Sequence, residues 1–134
     1  MLSQLSVYLP NKPGQLADFF ELLMDNQVYI YSLTVAEADD YGLILMMVED
    51  TEKCLELMEE KEVIYSITEV IAMKLEENIG DLYKISKMLG ENEVNIEYIY
   101  STILHGENIT VLRLSNNIKG MELLKDHGYS LLED

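Results

Sequence analysis

Cysteine occurs once in the 134 residues, at Cys54. That excludes an intrachain disulfide and any metal site built from several cysteines. Basic residues are also scarce: nine Lys and Arg stand against 25 Asp and Glu, for a formal net charge of −16. DNA, RNA and anionic membranes are bound through clustered Lys or Arg, so the charge balance argues against all three as partners. No apolar run approaches the roughly 18 residues of a membrane span. The start, Met1-Leu2-Ser3-Gln4, lacks the basic region that opens a secretory leader. These absences lead to the expectation of a cytoplasmic chain with a self-repelling surface. Catalytic signals are equally thin. There is no nucleophile paired with a base, no metal-ligand constellation and no Gly-rich phosphate loop, and Arg113 is the only arginine.

Proline occurs twice, at Pro10 and Pro13, in the stretch Pro10-Asn11-Lys12-Pro13-Gly14-Gln15-Leu16. Leu5, Val7 and Leu9 alternate before it, as in a strand covered on one side. Leu16, Phe19, Phe20, Leu23 and Met24 follow at helical spacing. The stretch is read as strand, tight loop, helix, with Pro13 at the first helical position. First-turn amides and the positive end of the helix dipole make the loop a candidate seat for a carboxylate, although a turn that only launches a helix has the same composition.

Sliding the sequence along itself by 66 residues, from Gly14 to Gly80, aligns Leu16 with Leu82, Leu23 with Leu89, Asn26 with Asn92, Val28 with Val94 and Ile30 with Ile96. The same offset carries Leu43 to Ile109, Val48 to Leu114 and Met58 to Leu124 without a gap. The chain is therefore expected to be two copies of one unit, residues 1–68 and 69–134. Each copy is near the lower size for a lone stable domain. In the first, strands are expected over Leu2–Leu9, Val28–Val35, Tyr41–Glu49 and from Val63, with helices from Pro13 to Asp25 and from a cap at Asp50 or Thr51 to about Lys61. In the second, the expected strands are Ile71–Leu75, Val94–Leu104, Ile109–Leu114 and Tyr129–Leu132. Its first helix would start at a capping box of Asn78 and Asp81, its hairpin would turn through His105-Gly106-Glu107-Asn108, and Asn116 or Asn117 would cap its last helix. The order is βαββαβ twice: an α+β protein of two tandem ferredoxin-like units, each an antiparallel sheet with its helices on one face.

A hairpin inside βαββαβ, an Asn-x-Pro-Gly-x-Leu turn after strand one and a Val-x-Ile step opening strand two together resemble the ACT domain, over both copies. The resemblance implies a small-molecule sensor, usually of an amino acid, bound where two units lie side by side through their second strands. One unit would contribute the Asn before Pro-Gly, and the facing unit an Asn at the start of strand two. Most ACT units are regulatory appendages of metabolic enzymes, and this sequence departs from that pattern in showing no catalytic domain. The first Asn exists only in copy one, as Asn11, because Glu77 stands at its counterpart. The second exists only in copy two, as Asn95, because Tyr29 stands at its counterpart. The candidate ligand-binding residues are Asn11, Lys12, Pro13, Gly14, Gln15 and Leu16 with Asn95 and Ile96. No cofactor is expected.

Strand four of copy one runs almost directly into strand one of copy two. Pairing the copies of one chain through their second strands would span roughly 29 Å, about nine extended residues at roughly 3.3 Å each, which the sequence lacks. A homodimer is therefore expected, Asn11 of one chain meeting Asn95 of the other. An unidentified metabolic enzyme or regulator is the further expected partner.

The competing function is a ligand-free dimerisation module, followed by a small ferredoxin-like enzyme. Other residues favour bland roles. His105 and His127 are expected at the surface, Cys54 is expected to pack in the core, and Asp39 and Asp40 form a solvated turn more readily than a metal site. Tyr29 with Tyr31, and Tyr98 with Tyr100, are expected to share a sheet face in pairs, either as plain packing or as an aromatic seam between units or a wall of the ligand pocket.

Overall fold

The computed structural model describes residues 1–37, 41–76 and 78–133. Asp39, Asp40 and Glu77 lie outside the described residues. The chain divides into two compact units, Ser3–Thr68 and Met1–Leu2 with Glu69–Asp134.

The first unit contains β1 (Leu2–Pro10, from Ser3 onward), α1 (Gln15–Asp25), β2 (Ile30–Glu37), β3 (Tyr41–Val48), α2 (Thr51–Glu60) and the start of β4 (Ile64–Met73). Its strands are ordered β2-β3-β1-β4, with β1 and β2 both antiparallel to β3. The helices cover one face. Phe19 and Leu23 of α1 and Cys54, Leu57 and Met58 of α2 are buried with Leu5, Val7, Ile44, Met46 and Val48. Those strand residues alternate along β1 and β3, as a half-buried pleat requires.

The second unit repeats this with the rest of β4, α3 (Ile79–Glu91), β5 (Ile96–Leu104), β6 (Glu107–Leu114) and α4 (Asn117–Asp126), its strands in the order β4-β6-β5. Ile85, Leu89 and Leu124 are buried against Ile71, Met73, Leu112 and Leu114. The expected closing strand is reduced to one antiparallel bridge, Leu131 with Met73. Strand one of the second copy is not separate, because Ile64–Met73 is a single strand that ends before Leu75.

The repeat extends to individual hydrogen bonds. The Asn26 side chain donates to Leu22 O at 2.9 Å, and Asn92 to Met88 O at 2.8 Å. Asp50 accepts from Lys53 N–H and Asn116 from Lys119 N–H, so in each pair of candidate caps the first residue is the cap. Asn117 instead accepts from Leu114 N–H and donates to Glu69 O. β2 and β5 each carry a register shift at matching positions, between Ile30 and Ser32 and between Ile96 and Tyr98.

The bulge in β2 corrects the expectation for Tyr29 and Tyr31, because an extra residue breaks the alternation, while that for Tyr98 and Tyr100 holds. Tyr29 precedes β2 and Tyr31 sits at the bulge, whereas Tyr98 and Tyr100 lie beyond the one in β5 and stack at 6.3 Å. The second hairpin is also tighter than expected. Its loop is His105-Gly106 with φ of 52° and 80°, the left-handed pair of a two-residue turn, while Glu107 and Asn108 belong to β6.

The helix ends supply a stability test. α2 and α4 both finish by reversing through a left-handed residue, Glu62 at φ 56° and Gly128 at φ 87°. Val63 N–H then bonds Met58 O, and Tyr129 N–H bonds Leu124 O. A side chain is strained there and glycine is not. Glu62→Gly is therefore expected to raise stability in urea denaturation by about 1 kcal/mol, and Gly128→Ala to lower it by a similar amount. Loss of stability in Glu62→Gly would remove this account of the turn.

Candidate functional site

The loop between β1 and α1 is built by its two prolines and its glycine. β1 reaches Pro10, whose carbonyl accepts from Lys12 N–H at 2.9 Å, closing the first bend. Pro13 is not the first helical residue. Gly14 is the N-cap at φ 89°, a left-handed conformation that favours glycine, and helical bonding begins when Asp18 N–H reaches Gly14 O at 3.0 Å. No side chain caps α1, so the amides of Leu16 and Ala17 are first-turn donors that the helix itself leaves unused.

The loop borders a cleft of about 270 Å³ inside this unit. Asn11, Lys12, Gln15 and Leu16 form one side, Val35 and Ala36 at the end of β2 form the other, and Gly42 and Ile44 of β3 contribute beneath. Pro13 and Gly14 shape the loop without lining the cleft. Lys12 is the one charged residue among the described lining residues. The volume lies just under the usual range for drug-sized ligands, a scale that suits a smaller metabolite. The contribution of Val35, Ala36 and Gly42 was not legible locally. The β1–β3 register, Leu9 opposite Gly42, and the β2–β3 register, Ala36 opposite Leu43, bring the end of β2 to this loop.

The equivalent loop of the second unit is different. With Ile79 in place of Pro13, the helix starts two residues earlier, and Gly80 lies inside α3 instead of capping it. The expected capping box is not formed. Asn78 makes no side-chain cap, and the Asp81 carboxylate accepts from Glu76 N–H at 3.2 Å and from the Tyr129 hydroxyl at 3.4 Å. Asp81 is buried. The first unit has Gln15, Pro10 and Val63 at the three corresponding positions, so none of these groups recurs there.

Asn95 is exposed just before β5. Its N–H donates to Ser115 Oγ and its carbonyl accepts from Ser115 N–H, both at 2.9 Å, which fixes the backbone beneath the side chain. Ile96 packs against the core of its unit, so it can offer a ligand its backbone and not its side chain. The remaining candidates are quiet. The Arg113 guanidinium lies 3.8 Å from Glu97 at the surface. His127 bonds the Leu123 carbonyl at 2.8 Å. Cys54 is fully buried, and desolvation pushes its thiol up to about 11, which leaves it a poor nucleophile near neutral pH. Among the described residues no group of three or more His, Cys, Asp or Glu is placed to hold a metal, and no helix is long and apolar enough to cross a membrane.

A family model described as "ACT domain pair" matches residues 1–134. Protein BT0572 from Bacteroides thetaiotaomicron is similar in structure, with a TM-score of 0.87, 31% identity, and coverage of 98% of this chain and 91% of that one. The regulatory subunit of aspartate kinase from Thermus thermophilus, in ligand-free form, aligns with a TM-score of 0.61 at 13% identity over 94% of this chain and 92% of that one. The corresponding subunit from Thermus flavus gives 0.62 at 14% over 92% and 88%. At such identities these two show the fold alone. No curated protein matches the sequence.

Proposed function

Because the chain belongs to the ACT domain pair family, a regulatory fold, we propose that it is a non-catalytic sensor of a free amino acid. The observation that carries this reading is the cleft beside Asn11 and the uncapped start of α1. A zwitterion needs donors for its carboxylate and an oxygen acceptor for its ammonium. First-turn amides and Lys12 supply the first, and the Asn11 side-chain oxygen supplies the second. Val35 and Leu16 offer apolar surface to a side chain. The second unit does not repeat this arrangement, because its helix starts earlier and a carboxylate of its own sits at the loop.

We propose further that the site is completed by Asn95 of a second chain, in a homodimer. β2 is an edge strand of its unit and β5 of its own. The loop at Asn11 lies at the C-terminal end of β2, whereas Asn95 lies at the start of β5. Antiparallel pairing of β2 with β5 of another chain brings these ends together. The unbroken strand Ile64–Met73 supports assembly between chains, because it leaves no linker between the units. The lone buried, unpaired thiol is in keeping with a cytoplasmic setting, and a metabolic enzyme or regulator is the partner that a sensor would need.

The test is thermal denaturation with each of the twenty amino acids. One of them, at about 100 times its dissociation constant, is expected to raise the midpoint by several degrees, without product formation. No shift with any of them would sink the sensor reading in favour of a dimerisation module, which uses the same exposed edges. Turnover would revive an enzyme.

A further inference from the structure

The two units share strand register as well as element order, so the cleft beside Asn11 can be compared with its counterpart residue by residue. Val35 stands opposite Ile44 and Ala36 opposite Leu43 in the first unit, as Ser101 stands opposite Thr110 and Thr102 opposite Ile109 in the second. The residues of β2 and β3 that line the cleft are Val35, Ala36, Gly42 and, beneath them, buried Ile44. Their counterparts are Ser101, Thr102, Asn108 and Thr110, polar at all four positions. Both sets occupy the same pleat, so the fold does not impose the difference.

Gly42 is the sharper case. It lies within β3 opposite Leu9 of β1, where glycine weakens a strand and often marks the close approach of a ligand. Backbone conformation does not require it, because the described glycines at positive φ are Gly14, Gly106 and Gly128. Crowding does not require it either. A Cβ built on Gly42 would meet only the Leu9 carbonyl oxygen, at an ordinary 3.9 Å. Gly42 shares the helix-covered face with Ile44, two residues on, so a side chain there would project into the cleft. What its absence leaves is depth. Polarity in the cleft is sorted as well, since Asn11, Lys12 and Gln15 all belong to the loop and the first turn of α1, whereas Val35 and Ala36 face them from β2.

We propose that the strand side of this cleft is the side-chain pocket of the sensor, that it takes an amino acid with an aliphatic side chain, and that the missing side chain at Gly42 sets how long that chain can be. This rests on the amino-acid reading above and names the class of ligand. The ligand's carboxylate and ammonium stay at the loop, where the donors and the Asn11 oxygen are, and its side chain then runs along Val35 and Ala36 to a floor at Gly42. A charged or amide side chain would leave its polar atoms against that apolar wall without partners, which costs affinity. The second unit presents hydroxyls and an amide at the same places, so this selection belongs to the first unit.

Titration calorimetry of the full chain with alanine, 2-aminobutyrate, norvaline and norleucine tests this. Affinity is expected to rise about fourfold with each added methylene until the side chain meets the floor. Gly42→Val is expected to end the rise at least one methylene sooner, lowering the ratio of norvaline to alanine affinity by at least about fourfold. The ratio is the readout, because a general loss of folded protein lowers both affinities and leaves it unchanged. Val35→Ser, which installs the second unit's residue in the same register, is expected to flatten the series. A series already flat in the wild type, a ratio unmoved in folded Gly42→Val, or a wild type that prefers a charged or amide amino acid would overturn the inference. The last of these keeps the sensor and removes only its aliphatic pocket, whereas no binding by any amino acid removes both.

Discussion

Gly120→Cys is expected to destabilise the protein by about 1–3 kcal/mol, the cost of overpacking a filled core. A Cβ on Gly120 would fall on Leu114 Cδ1, with Leu114 Cγ at 3.6 Å and Ile71 Cδ1 at 3.9 Å. At the 66-residue offset the first unit holds the same two places with Cys54 and Val48, both buried in its core. A small helix residue opposite a large strand residue in one copy is thus matched by a larger helix residue opposite a smaller strand residue in the other. Leu114→Val alone is expected to cost about 1 kcal/mol by leaving a void. The double variant Gly120→Cys with Leu114→Val recreates the first unit's pair and is expected to recover most of both losses. Urea denaturation of the four proteins measures the coupling. Simple additivity, within about 0.5 kcal/mol, would show that the two positions do not compensate.

On the binding side, Asn11→Ala and Asn95→Ala are each expected to weaken amino-acid binding by about 1–3 kcal/mol, the cost of leaving a desolvated charged group of the ligand unpaired. Tyr29→Ala and Glu77→Ala, at the two counterpart positions, are expected to change it little. Titration calorimetry with the amino acid found in the thermal screen provides the measurement. Equal losses from all four variants would remove the asymmetry between the copies. Mixing the Asn11→Ala and Asn95→Ala chains separates the assembly models. When each site takes Asn11 from one chain and Asn95 from the other, the mixed dimer holds one intact site and one doubly damaged site, and half of the binding capacity returns at wild-type affinity. Verified mixed dimers without recovery would eliminate the composite site.

The repeat, the helices and the helix faces were readable from residues, because apolar spacing is a local property of the chain, whereas the merging of two expected strands into Ile64–Met73 and the loss of the closing strand were not. Leu16, Phe19, Phe20, Leu23 and Met24 mark α1 whatever it packs against, and the 66-residue offset shows itself without coordinates. The loop after β1 was legible as a tight turn that launches a helix for the same reason, since Pro and Gly act on their own dihedrals. What tertiary structure decided lies where distant segments meet or where one substitution shifts a boundary. Val35, Ala36 and Gly42 join Asn11 only through strand register. Gly80 aligns with Gly14 but lies within its helix, since α3 starts at Ile79 whereas Gly14 takes a left-handed conformation as the cap of α1. Asp81 looked like half of a capping box, yet it bonds the Tyr129 hydroxyl 48 residues away. That partner is set by packing between segments, and periodicity along one segment carries no information about it.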